Sequence, residues 1–269
     1  MALHMLILGM GYTASRLAAR LRAEGWRVTG VRRADDGDAI AFDDDAAVRT
    51  AIARATHILS SVPPEGEGDP VLARHGDAIA AAPALWTGYL SSTGVYGDTG
   101  GAWVDESGPV GQGRRTARAR ADLAWGGLRP DMRCFRLPGI YGPGRSAIER
   151  VREGKAHRID LPGQVFSRVH VDDIVAGVVA SFDGPPGIYN LADDLPAPQN
   201  AVTQAACALL DVPLPPLLTL EEANLSPMAR AFYAENRRVA NGRARRLLGW
   251  KPRYPTYREG LAACLAEGA

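Results

Sequence analysis

Two short stretches carry residue types and spacings that can do chemistry. The first is "GMGYTA", Gly9–Ala14, a G-x-G-x-x-A pattern that follows a short apolar run. Such a turn presents free backbone N–H groups to a phosphate. Gly9 permits the tight turn, Gly11 lets a pyrophosphate reach the backbone, and Ala14 lets the next helix pack close. Tyr12 and Thr13 stand between them. The second is "GQGRRTARARAD", Gly111–Asp122, with Arg114, Arg115, Arg118 and Arg120 within seven residues. Guanidinium groups grip carboxylates, phosphates or a developing oxyanion, but do not give up protons near neutrality. The same cluster admits two other readings, a nucleic-acid patch and a solvated helix face.

Composition weighs on that choice. The chain has 269 residues and a formal net charge of +1. A nucleic-acid binder normally carries a clear basic excess, so that reading is set aside. Lysine occurs only at Lys155 and Lys251, so arginine carries almost all positive charge. Cys134, Cys207 and Cys264 lie far apart without C-x-x-C spacing and read as buried, reduced thiols, which points to the cytoplasm. No His/Cys/carboxylate cluster has metal-ligand spacing, so no metal is expected. The apolar run near Met1 is too short for a membrane span and lacks the marks of a signal peptide.

The elements that position these stretches alternate. Met5–Leu8, Arg27–Val31, Ala39–Phe42, residues 57–62, 86–92 and 132–137 read as strands. Tyr12–Glu24 (stopped at Gly25), Asp45–Ala55, Val71–Ala82 and Thr116–Trp125 read as helices. Alternation of this kind implies crossover units and an α/β fold with a parallel sheet covered on both faces. After Leu137 Gly- and Pro-rich segments break the pattern, which suggests a smaller lobe.

The second strand ends in Arg32 and Arg33. A site for a plain ribose would place an acid there, whereas two guanidinium groups suit a 2′-phosphate. NADP(H) is therefore expected over NAD(H). Asp43, closing the third strand, is placed near the adenine. Trp103 and Trp250 read as packing residues, and either Asp172 or Asp173 as the cap of a helix.

"YLSSTGVYG" (89–97), "RLPGIYGPG" (136–144), "FSRVHVDDIVAGV" (166–178), "GIYNLADD" (187–194) and "LLGWKPRYPTYREGL" (247–261) occur in that order after the glycine turn. Together they resemble the extended short-chain dehydrogenase/reductase family, of the NAD-dependent epimerase/dehydratase type, across essentially the whole chain. The resemblance implies a Rossmann-type doubly wound parallel sheet with a small C-terminal substrate lobe. The Rossmann part would span 1–137, with 168–192 returning to it. The lobe would span 138–167 and 193–269.

It also implies roles. Ser92, with Thr93 beside it, would hold a substrate oxygen, and Pro138–Tyr141 would pass the nicotinamide. A Tyr-x-x-x-Lys pair normally follows on the next helix, where the lysine lowers the tyrosine pKa and the tyrosine moves the proton. Setting Asp122 on the acid that ends that motif puts Arg118 on the lysine and Arg114 on the tyrosine. The chain reads as an atypical member that lacks the pair. Arg114 and Arg118 would then hold an oxygen, carboxylate or phosphate, and water or Tyr96 would supply the proton. His170 reads as structural before substrate-binding. The expectation is an NADP(H)-binding oxidoreductase or epimerase-like enzyme on a small polar substrate, possible as a homodimer. The competing expectation is a non-catalytic NADP(H) sensor.

Overall fold

The computed structural model describes residues 3–33, 39–66, 68–111, 113 and 116–268. In chain order the first elements are β1 His4–Leu8, α1 Tyr12–Ala23, β2 Arg27–Arg32, β3 Ala39–Ala41, α2 Asp45–Arg54, β4 His57–Ser60, α3 Pro70–Ala80 and β5 Trp86–Ser92. A 3₁₀ turn (Thr93–Tyr96), β6 Trp103–Val104, α4 Thr116–Gly126, β7 Met132–Leu137, β8 Gly139–Tyr141, α5 Ala147–Arg152 and β9 Arg158–Ile159 follow. The chain ends with β10 Arg168–His170, α6 Val171–Ala180, β11 Gly187–Asn190, α7 Gln199–Leu210, β12 Leu217–Leu218, α8 Pro227–Phe232, β13 Arg238–Val239, α9 Gly242–Leu248 and α10 Tyr257–Glu267.

Seven strands form one sheet in the order β11-β7-β5-β4-β1-β2-β3. Every pairing in it is parallel. The chain winds outward from β1 in both directions, so the sheet reverses between β1 and β4. Ligands of such sheets sit outside the strand ends at that reversal. Here the glycine turn after β1 and Ser61 after β4 flank it.

The all-apolar run of β1 follows from burial on both faces. Met5 and Ile7 pack with Leu17, Leu21, Ile174 and Val178 on one side. Leu6 and Leu8 pack with Val48, Ile52, Ile79 and Trp125 on the other. A separate apolar cluster joins Tyr141, Ile148, Val202, Ala206, Tyr257, Leu261 and Cys264 and binds α5, α7 and α10 together. All three cysteines are buried and free.

Several details differ from the sequence reading. β4 stops at Ser60 rather than residue 62, because Ser61 turns to bond β1's end: its N–H donates to Leu8 O at 2.8 Å and its Oγ to Gly9 O at 2.6 Å. α3 starts at Pro70, where Asp69 caps it by accepting from Val71 and Leu72 N–H. His170, not Asp172 or Asp173, caps α6. Asp173 instead accepts from the backbone of Arg253 and Tyr254. Trp250 is buried but Trp103 is 59% exposed, because its two-residue strand pairs only with β13. Among the described residues no helix is long and apolar enough to cross a membrane.

Gly88 lies under the indole of Trp86, and a Cβ there would collide with the ring. Gly88→Ala is expected to lower stability by about 1–3 kcal/mol through overpacking. An unchanged urea midpoint would mean that the indole moves aside freely.

Candidate functional site

The glycine turn is built for close approach. Gly9 has φ +91°, and a Cβ there would lie 2.8 Å from Val62 Cγ2. Gly11 caps α1 without any side-chain hydrogen bond, and the space where its Cβ would stand is open. The first turn of α1 holds no acidic residue. Its unpaired N–H groups, at the positive end of the helix dipole, therefore face an open space suited to an anion. Ala14 is buried against the sheet, which lets α1 sit close.

Gly11, Tyr12 and Thr13 line a cleft of about 890 Å³. It runs past Ser61 and Ser92 to Arg118 and on to Arg150, His157 and Arg168. Tyr12 joins the two parts: its hydroxyl donates to Pro143 O at 2.9 Å, and Arg145 lies over its ring. Burial pushes the Tyr12 phenol up to about 12, so it stays protonated.

Ser92 ends β5 and accepts from Gly94 N–H at 3.1 Å, which leaves its own O–H free to donate. Thr93 beside it is buried and also lines the cleft. Arg118 reaches the cleft from α4, with Nη1 donating to Tyr89 Oη at 3.3 Å. Tyr89 itself stacks on Trp125. Arg114 and Arg115 lie outside the described residues.

Behind this wall is a buried polar network. Asp122 accepts from Arg136 Nη2 at 2.6 Å and from Ser91 Oγ at 2.6 Å. Arg136 Nη1 donates to Tyr96 Oη at 3.0 Å, and Tyr96 donates to Asn190 Oδ1 at 2.7 Å. Tyr96 therefore sits in the network and not among the residues lining the cleft. Burial raises its phenol pKa; Arg136 pulls in the other direction but does not win. This corrects the reading of Tyr96 as a proton donor, because its proton is committed to Asn190.

Pro138, Gly139, Ile140 and Tyr141 form the cleft wall opposite the glycine turn. Tyr141 is buried, and burial raises its phenol pKa. His170 is fully buried, with Nδ1 accepting from Asp172 N–H at 3.3 Å and Cys264 Sγ 3.8 Å from Nε2. Burial lowers its pKa to about 4. It does not line the cleft, so the substrate-binding reading of His170 is corrected to a helix cap. Arg32 and Arg33 end β2 as exposed side chains, and Arg33 lies 3.9 Å from Glu65. Neither lines the cleft, and nor does Asp43, whose backbone oxygen accepts from Arg74.

The chain beyond β9 contributes residues that sequence reading missed. Arg168, Arg237, Gln199 and Tyr233 all line the cleft. Arg168 stood inside a quoted motif, but nothing in its spacing marks which way it points. Behind it, Asp193 is buried with neither carboxylate oxygen hydrogen-bonded. Burial pushes its carboxyl up to about 8, against the opposing pull of Arg168.

No family model matches the chain. It is 42% identical to a functionally unknown conserved protein from Silicibacter pomeroyi DSS, covering 98% of each chain with a TM-score of 0.86. It is 18% identical to the human epimerase family protein SDR39U1, solved with NADPH, covering 99% of this chain and 100% of that one with a TM-score of 0.79. It is 29% identical over 258 residues to the 3-diazoavenalumate denitrifying reductase of a Streptomyces species, which is 91% of this chain and 80% of that one. The likeness to the human protein shows a shared Rossmann-type fold.

Two outcomes follow from the buried charges. Asp122→Ala strands a buried guanidinium and is expected to lower stability by about 3–5 kcal/mol in urea unfolding. A loss below about 1 kcal/mol would show that Arg136 does not need its partner. For Asp193, the folded state keeps a proton to about pH 8, whereas the unfolded chain releases it near 3.8. The folded state holds more protons in that window, so stability falls as pH rises through it. Asp193→Asn is expected to flatten that fall, read as urea midpoints from pH about 4 to pH about 8. Parallel curves for the two proteins would contradict it.

Proposed function

We propose that this protein is an NADP(H)-dependent oxidoreductase or epimerase-like enzyme acting on a small polar substrate with non-standard acid–base residues. The observation that carries it is the uncapped start of α1 at Gly11, opening into a cleft that continues past Ser92 and Arg118. The open space above Gly11 and the absence of acid in the first turn of α1 fit a dinucleotide phosphate. The NADPH in the human relative's structure and the reductase name of the Streptomyces relative support the same reading.

Tyr12, Thr13 and Ala14 N–H groups would hold the pyrophosphate, and Gly9 would keep the turn tight. Arg32 and Arg33 would bind the 2′-phosphate, with Asp43 toward the adenine. Pro138–Tyr141 would seat the nicotinamide ring. Once bound, the nicotinamide supplies hydride chemistry. Ser92 would donate its O–H to a substrate oxygen, and Arg118 would hold an oxygen or ribose hydroxyl as a cation that keeps its proton. Arg114, by its register, would act beside it. Proton exchange falls to solvent, because Tyr96 is outside the cleft and the register of the usual Tyr and Lys carries arginine. The same two observations favour the second reading, a sensor that binds NADP(H) without turnover. The three buried thiols suit a reducing cytoplasm.

The test is a titration of intrinsic fluorescence with NADPH and NADH. NADPH is expected to bind about tenfold or more tightly than NADH, and Arg32→Ala with Arg33→Ala to erase the difference. Equal affinities would reject the 2′-phosphate role, and no binding of either would reject the reading. NADPH consumption with a panel of carbonyl compounds separates enzyme from sensor.

A further inference from the structure

Arg168 is an unusual group to find in the wall of a cleft. It is 7% exposed, and no carboxylate pairs with it among the described residues. Asp193 acts on it through space but makes no hydrogen bond to it, since both Asp193 oxygens are without a partner. A buried cation whose carboxylate neighbour acts only through space gains from an anion that comes closer.

The guanidinium is held in place by neutral acceptors. Nη1 donates to Phe166 O at 2.8 Å and Ala197 O at 2.9 Å, and Nη2 donates to Gln199 Oε1 at 3.0 Å. An arginine has five N–H donors, so two remain. Nε makes no hydrogen bond, yet it is not one of the sealed buried atoms, so it keeps contact with open space. Two remaining donors on a fixed plane are what a carboxylate or phosphate needs. Part of the surrounding wall is apolar, with Phe166, Val202, Tyr233, Tyr257 and Leu261 lining the cleft beside the Arg237–Glu235 ion pair. Phe166 and Tyr233 meet edge to face, 5.5 Å between centroids.

We propose that Arg168 is the oxyanion-binding residue of the substrate end of the cleft, and that the substrate is an organic acid with an apolar body. The acid group docks on the free donors of Arg168, and the body lies against Phe166 and Tyr233. This rests on the reading of the cleft as a cofactor-and-substrate site, but the subsite itself needs no cofactor to be measured.

The probes are benzoate, phenyl phosphate and the uncharged benzamide, titrated by calorimetry into the full-length protein near pH 7. One or both anions are expected to bind, and benzamide to bind at least about tenfold more weakly. The stronger anion identifies the acid as carboxylate or phosphate. Arg168→Gln is expected to weaken the anion by about tenfold or more while leaving NADPH affinity unchanged. Should that variant unfold, Arg168→Lys keeps the charge but loses the planar fork, and the same weakening is expected. Benzamide binding as well as the anions would overturn the proposal. So would anion affinity that is unchanged in either folded variant, or no anion binding by a protein that binds NADPH. Anion binding that depends on Arg168 in a protein that binds neither NADPH nor NADH would uphold the subsite and reject the cofactor reading.

Discussion

The ion pair between Arg136 and Asp122 is the constraint on which this site depends. It joins β7 to α4 with both charges out of water. Ser91 completes the carboxylate's bonding from β5, one residue before Ser92. Asp122 also lies one helical turn beyond Arg118 on α4. One buried pair therefore sets the position of the strand end that carries Ser92 and the rotation of the helix that carries Arg118. A pair of this kind adds little net stability over apolar packing, but losing one partner is severe. Its value here is orientation. The same guanidinium lies 4.9 Å from the Tyr96 ring centroid and donates to its hydroxyl, which ties down the loop after β5.

The cleft's two ends differ in how charge is held. At the glycine turn the positive potential comes from backbone N–H groups at a helix start, which suits a ligand that must come close. At the other end it comes from arginines. Arg237 is already paired with Glu235, while Arg168 is held only by neutral acceptors. Specific links tie α1 to the chain beyond β8. Tyr12 reaches Pro143, and Arg16 bonds both Asp172 at the start of α6 and Glu267 at the end of α10. The helix that opens at the glycine turn is thus fastened to α6 and α10.

Much of the fold was legible in the chain because its signals are local. An apolar run followed by Gly9, Gly11 and a helical period admits few structures, and six strands interleaved with four helices leave a parallel sheet as the answer. The errors were local too. The start of α3 was missed because Asp69-Pro70, a cap followed by a first-turn proline, was not read as such. The cap of α6 was assigned to an aspartate because aspartates are common caps, whereas Asp173 is drawn away by Arg253 and Tyr254 backbone groups eighty residues along the chain.

The site divides along the same line. The sequence by itself determined the glycine turn and the strand-to-helix alternation that sets the parallel sheet around it. Each depends on residue type and short spacing. Only the tertiary structure decided that Tyr96 and His170 face away from the cleft and that Arg168 faces into it. Those outcomes depend on contacts between distant segments: Tyr96 with Asn190, His170 with Cys264, Arg168 with Ala197 and Gln199. Which way a buried polar side chain turns is set by the partners packing brings to it, and no local pattern in the chain records them.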